Sequence, residues 1–594
     1  MTEESKGDGR STGAVEGIRW FDWSAEPFEL ARDSGKLVLL DLTATWCHWC
    51  HVMDETTYSD PRVVAVINRS FVPVRVDIDR RPDVSERYNR GGFPTTAFLS
   101  DKGESIWGAT YIPPVDMLRI MDSLLNAKAA GEIDRALERL RNSSTEERMG
   151  QRSISPVSYE QMDDMFEDLF ATYDLENGGF GTAPKFPQPD MLDLVLTRYL
   201  WTSDEELGDA VISTLERMVA GLYDGVEGGI FRYSVTADWM TPHYEKMLET
   251  NAGFLRNLLH VKLATGTDAF DPVILGTIGY INGTLRDDAS GGFYASQDAD
   301  EEYYSLNAQE RRKRSPPRVD RTMYAGWNAM VAKALVLAGK VLSDKAVGEL
   351  GLRTFEMVSS RLMDSDLGLV RHAEDQELHI FEDQVAYLDA LLGVMELTGD
   401  GALNERAVAL VTAVEREFAH PDGGFGDIRV SPDAIGALDT PLRSPVDNAR
   451  WAMSLIRLAA MTNRSELLAK AEHVLDSFGR EELDAYGVLI AEYITARSVL
   501  ARGAVTVEIH MPEGGAQQTD ALWMGAKSAC DPGTVISRVR DDYATRPFAV
   551  VCSRSGCSGK LHDAEEVRER VLAEVRKLFQ EAQSATGTIR ASSK

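Results

Sequence analysis

The sequence predicts three parts: an N-terminal α/β domain, a central all-α (α/α)6 toroid, and a small C-terminal α/β appendage. Three observations carry this. An apolar run over 37–43 leads into Trp46-Cys47-His48-Trp49-Cys50-His51, a C-x-x-C pair placed where a strand gives way to a helix. From 157 to 502, strand-like alternation stops and helix-period segments take over. From 503, strand-like runs return.

Residues 1–19 read as a disordered N-terminus and 20–125 as the first domain, with strands at 37–43 and 71–77 and a third apolar run over 91–99 that contains Pro94. A strand-to-helix C-x-x-C puts the first thiol at a helix N-terminus, where free N–H groups and the helix dipole favour thiolate. Cys50, three residues on, returns to the same helix face and can close a disulfide with Cys47. Asp41, six residues before Cys47, is the candidate proton acceptor for Cys50. The competing reading is a zinc half-site completed by His48 and His51, but zinc needs about four ligands, and the strand-first context favours redox chemistry.

Residues 126–156 read as a linker. Between 157 and 502, twelve helical segments are expected: 158–173, 189–202, 205–223, 243–265, 271–287, 326–342, 346–363, 382–398, 403–419, 446–462, 464–478 and 487–500. Glycine-containing turns separate them at 178–181, 228–231, 291–294, 368–370, 423–426 and, more weakly, 486–488. Repeated helical hairpins mark a closed or superhelical array, and the irregular spacing favours the closed toroid over an open solenoid. The candidate cavity residues, near the corners, are Arg232, His243, Glu245, Lys246, Asp298, Asp300, Trp327, Asn328, Glu382 and Asp383. Paired carboxylates suit glycoside hydrolysis, a histidine base suits sugar epimerisation, and Trp327 suits stacking on a sugar ring. The bland alternative is that carboxylates near helix starts are caps.

The region 503–594 holds strands near 505–510 and 548–552 and a helix over 563–580. Cys552 and Cys557 sit just after a strand and, with Cys530, could form a further redox or metal element; three cysteines make a weak zinc signal, and ordinary reduced thiols are the expected reading. Five cysteines in 594 residues do not form a disulfide scaffold, which fits a cytoplasmic, reducing compartment. A net charge of −31 argues against nucleic acid or anionic membrane as partner. The one basic run, Arg311-Arg312-Lys313-Arg314, reads as a solvated loop. No 18-residue apolar run exists to span a membrane, and no cofactor-binding motif stands out.

Residues 20–118 resemble thioredoxin in their W-C-x-x-C, the upstream acid and a Pro-Thr before a strand. The resemblance implies that Pro94 is cis, lies against the disulfide and docks substrate together with Phe93. Further blocks, among them GGFGTAPKFPQP from Gly178, PHYEKML from Pro242, GGFYASQDAD from Gly291 and Trp327-Asn328-Ala329-Met330, resemble the YyaL / spermatogenesis-associated protein 20 family. That resemblance implies a thioredoxin-like domain fused to a six-hairpin, glycosidase-like toroid. The expected function is a thiol–disulfide oxidoreductase acting on a protein or small-molecule disulfide, with Cys47 as nucleophile and Cys50 as resolving thiol. Trp46, His48, Trp49 and His51 are the expected tuning residues, and His48 is expected to lift the potential above the roughly −270 mV of thioredoxin. The toroid would bind a substrate or partner. Two alternatives stand beside this: a sugar-processing toroid with the thioredoxin-like domain as redox switch, and a non-catalytic binding platform.

Overall fold

The computed structural model describes residues 17–148, 155–512 and 516–592. The expected disorder at 1–19 therefore falls, but for its last three residues, outside that set. The chain divides into two compact units: Met1–Arg152 together with Ser431–Thr440, and Ser153–Val430 together with Pro441–Lys594.

The first unit runs α1 (Ala25–Ser34), β1 (Leu37–Thr43), α2 (His48–Thr56), α3 (Pro61–Ser70), β2 (Phe71–Asp77), α4 (Pro82–Tyr88), β3 (Thr95–Leu99), β4 (Ser105–Ala109), α5 (Pro114–Ala129) and α6 (Glu132–Arg148). The strand order is β2-β1-β3-β4, with β1 parallel to β2 and antiparallel to β3. The central β1 is covered on both faces, which is why Leu37–Leu40 and Leu42 form an unbroken apolar run instead of alternating. Leu39, Met53, Ile67, Phe71, Phe98 and Met117 build the core. β4 was not anticipated: it is an edge strand whose five residues are all half-buried, so it has no period-2 pattern to read. Where a linker was expected, α5 and α6 continue through residue 148, and 149–154 lie outside the described residues.

In the second unit, six helices form a closed inner ring: α8 (Pro189–Thr202), α10 (Leu248–Thr265), α12 (Ala325–Val341), α14 (Phe381–Thr398), α16 (Pro445–Thr462) and α18 (Ala491–Arg502). Each packs on the next, and α18 returns to α8. That closure makes the array a toroid rather than an open solenoid. The other six, α7 (Tyr159–Phe170), α9 (Glu205–Leu222), α11 (Asp271–Tyr280), α13 (Lys345–Met357), α15 (Ala402–Phe418) and α17 (Ser465–Asp476), alternate with them along the chain. α12 and α13 approach closely because glycine removes the obstruction. A Cβ on Gly339 would stand 2.3 Å from the nitrogen of Gly348, and one on Gly351 would stand 2.7 Å from that of Val336.

Four of the corners share one construction. An amide side chain at the fourth residue of an inner helix, or its equivalent, clamps the turn through both its donor and its acceptor. Asn251 holds the N–H and C=O of Ile230, Asn328 those of Phe293, Gln384 those of Val370, and Asn448 those of Phe425. Two corners carry a buried lysine as well. Lys185 Nζ donates to Asp174 (2.6 Å) and the Gly178 carbonyl (2.8 Å), and Lys246 Nζ to Asp224 (2.7 Å) and the Gly228 carbonyl (2.8 Å). Arg311 does not lie in a solvated loop as expected. It is buried, because it completes the Asp224 cluster at 2.7 Å and reaches Glu227 and the Tyr304 carbonyl.

The C-terminal segment contributes β5 (Val505–Met511), α19 (Ala516–Lys527), β6 (Thr534–Arg540), β7 (Phe548–Ser553), β8 (Gly556–Cys557) and α20 (Ala564–Ser592), with strand order β6-β5-β7-β8. It does not form a unit of its own: its core is continuous with that of the toroid. Trp201 of α8 packs tilted against Phe579 at 5.1 Å and donates to Asp531 (2.8 Å), which also binds the fully buried Arg502 (2.6 Å). The expectation of reduced thiols is overturned at Cys552 and Cys557. β7 and β8 pair so that these residues lie opposite each other, and they are joined as a disulfide. Cys530 is free, and burial pushes its thiol up to about 12.

Candidate functional sites

Cys47 caps the N-terminus of α2, its sulfur accepting the Cys50 N–H at 3.2 Å, and is joined to Cys50 in a disulfide. Both cysteines are buried, whereas His48 and Trp49 are exposed on the first turn. Solvent therefore screens any charge on His48. The Phe93–Pro94 bond is cis. Phe93 meets Trp46 edge-on at 6.3 Å, and the Trp46 indole N–H donates to Asp79 (2.5 Å), which fixes the tryptophan beside the cysteines. Trp49 leans on Tyr111 at 5.5 Å, and His51 is half-buried.

Asp41 is buried in the middle of β1, and the strand register places Arg75 of β2 beside it. Its Oδ2 accepts from Arg75 Nε (2.7 Å) and its Oδ1 from the Tyr58 hydroxyl (3.2 Å). Arg75 also binds Asp54 and lies over the Trp20 ring at 4.3 Å. Burial pushes the Asp41 carboxyl up to about 6 against the pull of Arg75. A carboxyl in that state can take or release a proton near neutrality.

The toroid encloses a cavity of about 210 Å³. Its wall is built from the inner helices, and its floor from the C-terminal segment through Trp523, Lys527 and Ile536. A chain of ion pairs runs down to the floor. Lys333 binds Asp389 (2.6 Å), Asp389 binds Arg457 (3.0 Å), Arg457 binds Glu396 (3.0 Å), and Glu396 meets Lys527 (3.3 Å). At the upper end, five of the six inner helices carry an acid in their first turn: Asp190, Glu249, Glu382, Asp447 and Glu492. The sixth, α12, carries Trp327 in that turn. Asp190 is gripped by Arg256 and Arg450, which hold it well below the usual carboxylate range despite its burial. Glu382 and Glu492 are pushed strongly upward. Burial is the chief cause for both, followed by Asp447 and Glu249 at Glu382 and by Asp190 at Glu492. Glu382 keeps accessible surface because it lines the cavity.

Beside this ring lies a histidine backed by a carboxylate. His243 Nδ1 pairs with Glu245, which is fully buried and whose Oε1 has no hydrogen-bond partner. The imidazole stacks on Tyr233 at 4.8 Å, and Tyr233 stacks on the exposed Phe186 at 4.7 Å. Arg232 lies within electrostatic reach of Glu249.

Of the residues named from sequence, Glu382 lines the cavity, and Arg232, His243 and Glu245 belong to the neighbouring group. Lys246 and Asn328 are taken up inside the wall as turn clamps. Asp383 is buried, accepting from the Gly326 N–H (2.8 Å) and pairing with His372 (2.9 Å). Asp300 caps a short helix through the Tyr303 N–H (2.8 Å), Asp298 accepts the next N–H (2.8 Å), and Trp327 packs on Tyr324 at 4.9 Å. Sequence reasoning missed Asp190, Glu249, Asp447 and Glu492. The signal for them was an acid at the second or third residue of an inner helix.

The two units together define a class: a thioredoxin-like domain with a C-x-x-C disulfide, joined in one chain to a six-hairpin helical toroid. Residues 11–147 match the model of a thioredoxin-like DsbH family, described as a protein of unknown function, DUF255. Human spermatogenesis-associated protein 20 is 24% identical over 93% of this chain and 89% of its own length, and the mouse protein is 31% identical over 48% and 39%. The similarity to spermatogenesis-associated protein 20 thus runs along nearly the whole chain. Among solved structures, a sugar epimerase from a ruminal bacterium is 14% identical, covering 58% of this chain and 99% of that one with a TM-score of 0.46. No helix of the described residues is long and apolar enough to cross a membrane.

Proposed function

We propose that the protein is a cytoplasmic thiol–disulfide oxidoreductase whose first unit exchanges disulfides with a protein or small-molecule substrate. The observation that carries this is the Cys47–Cys50 disulfide at the N-terminus of α2. In the reduced form, the Cys47 thiolate would attack a substrate sulfur and leave a mixed disulfide. Cys50 would lose its proton, attack the Cys47 sulfur and release the substrate as a dithiol. Asp41 serves as the proton acceptor in this reading. Two electrons leave the protein per cycle and must be returned by an external dithiol.

The test is reduction of a protein disulfide by the full chain with dithiothreitol as electron donor. Cys47→Ser should abolish turnover, and Cys50→Ser should slow it and accumulate the mixed disulfide. Turnover that survives Cys47→Ser removes the reading.

A second reading places a sugar-processing activity in the toroid. The observation favouring it is a histidine backed by a buried carboxylate near carboxyls held toward their neutral form, which together supply a base and an acid. Glu382→Gln should then abolish turnover of the sugar and leave disulfide exchange intact, and equal sugar turnover by the variant ends this reading.

A further inference from the structure

The disulfide between β7 and β8 plays no part in the chemistry above, and its surroundings differ from those of a structural clamp. β8 is the outermost strand of its sheet among the described residues, so no further strand covers it. Gly556 and Cys557 are exposed, while Cys552 is half-buried. The bond links residues only five apart in sequence. A crosslink closing so short a loop restricts the unfolded chain least and so adds little stability.

The hairpin also has other ties. The Ser558 N–H donates to the Val551 carbonyl (2.8 Å), and the Val551 N–H donates to Ser558 Oγ (3.0 Å). Further along the same hairpin, Ala549 of β7 and Leu561 exchange both backbone bonds, at 2.8 and 2.9 Å. Opening the disulfide therefore leaves the strand pairing in place. Exposed disulfides of this sort are the labile ones.

We propose that Cys552–Cys557 is a second exchangeable disulfide, which takes two electrons from a thiol donor at the open edge of the C-terminal sheet. A donor thiolate attacks the exposed Cys557 sulfur. The S–S bond breaks, Cys552 leaves as a thiolate and takes up a proton, and Cys557 is held in a mixed disulfide. A second donor thiol then attacks the donor sulfur of that mixed bond. The result is Cys552 and Cys557 as thiols and the two donor thiols oxidised to one disulfide. Cys530 takes no part, being half-buried on another segment of the chain with its sulfur directed to the His260 carbonyl.

The test is differential alkylation of the full wild-type chain, read by mass spectrometry for each cysteine pair, across graded ratios of reduced to oxidised glutathione and then dithiothreitol. The expected result is a two-electron transition of Cys552–Cys557 within a hundred-fold of the ratio at which Cys47–Cys50 opens, with the circular dichroism spectrum unchanged. A pair that stays closed under a thousand-fold excess of reduced dithiothreitol is a structural crosslink, and a pair that stays open at every ratio is no disulfide. Either outcome overturns the proposal. Cys552→Ser supplies an independent check: Cys557 should form one adduct per chain with oxidised glutathione, and an unreactive Cys557 in the folded variant refutes its role as the attacked sulfur. Two arms separate the donors. Reduced glutathione tests a small thiol. A second copy of the chain carrying Cys552→Ser and Cys557→Ser, with Cys47 and Cys50 reduced, tests a protein dithiol. Failure of both arms also refutes the proposal.

Discussion

Asp41→Asn tests the electrostatics of the first unit most directly. In an unfolded chain the Asp41 carboxyl ionises near 3.9, whereas in the folded chain burial raises it to about 6. Between those values the folded protein keeps a proton that the unfolded chain has already released. By linkage, stability falls as pH rises through the window: the favourable contribution is complete below about pH 4 and gone above about pH 6. A shift of about two units, at 1.36 kcal/mol each, is worth about 3 kcal/mol. Asparagine cannot titrate, so the wild type should lose about 3 kcal/mol relative to Asp41→Asn between pH 3.5 and pH 7. Hydrogen exchange of the peptide covering β1 measures this, with opening free energies taken at each pH after correction for intrinsic exchange. Parallel pH profiles would refute the reasoning. A wild type that gains stability with pH would show that Arg75, at 2.7 Å, outweighs burial.

Three substitutions probe the toroid by chemical denaturation. Asn448→Ala leaves the Phe425 N–H and carbonyl and the Ser444 carbonyl short of a partner, which should cost about 3 kcal/mol. Lys246→Met strips the Gly228 carbonyl and leaves Asp224 with Arg311, and should cost about 3 kcal/mol or more. Gly229→Ala forces a Cβ to within 2.5 Å of the Tyr280 ring at a φ of +79°, and should cost at least about 2 kcal/mol.

The helices of the toroid were legible because each corner carries its own punctuation: Gly178-Gly179-Phe180 and Gly423-Gly424-Phe425 end one helix and start the next. The redox pair was legible because β1 and α2 are contiguous, so the site needs no long-range contact to be recognised. The amide clamps were not legible, since Asn251, Asn328, Gln384 and Asn448 lie 21, 35, 14 and 23 residues from the turns they hold. No fixed spacing links clamp to turn. The carboxylate ring was hidden because an acid in a helical first turn ordinarily answers the helix dipole. Only closure of the ring brings such acids together, with Asp190, Glu382 and Glu492 on the cavity wall and Glu249 and Asp447 within electrostatic reach of Glu382. Reduced thiols were the expected reading over a redox element at Cys552 and Cys557 because their pairing depends on β8, a strand of two residues.

The C-terminal segment, by flooring the ring with Trp523, Lys527 and Ile536, makes the toroid a cup and not a pipe. A cup has one door. Whatever enters must leave the way it came, so occupant and successor compete for the same passage. A long polymer cannot be threaded through, and only its tip can reach the ion pairs at the bottom.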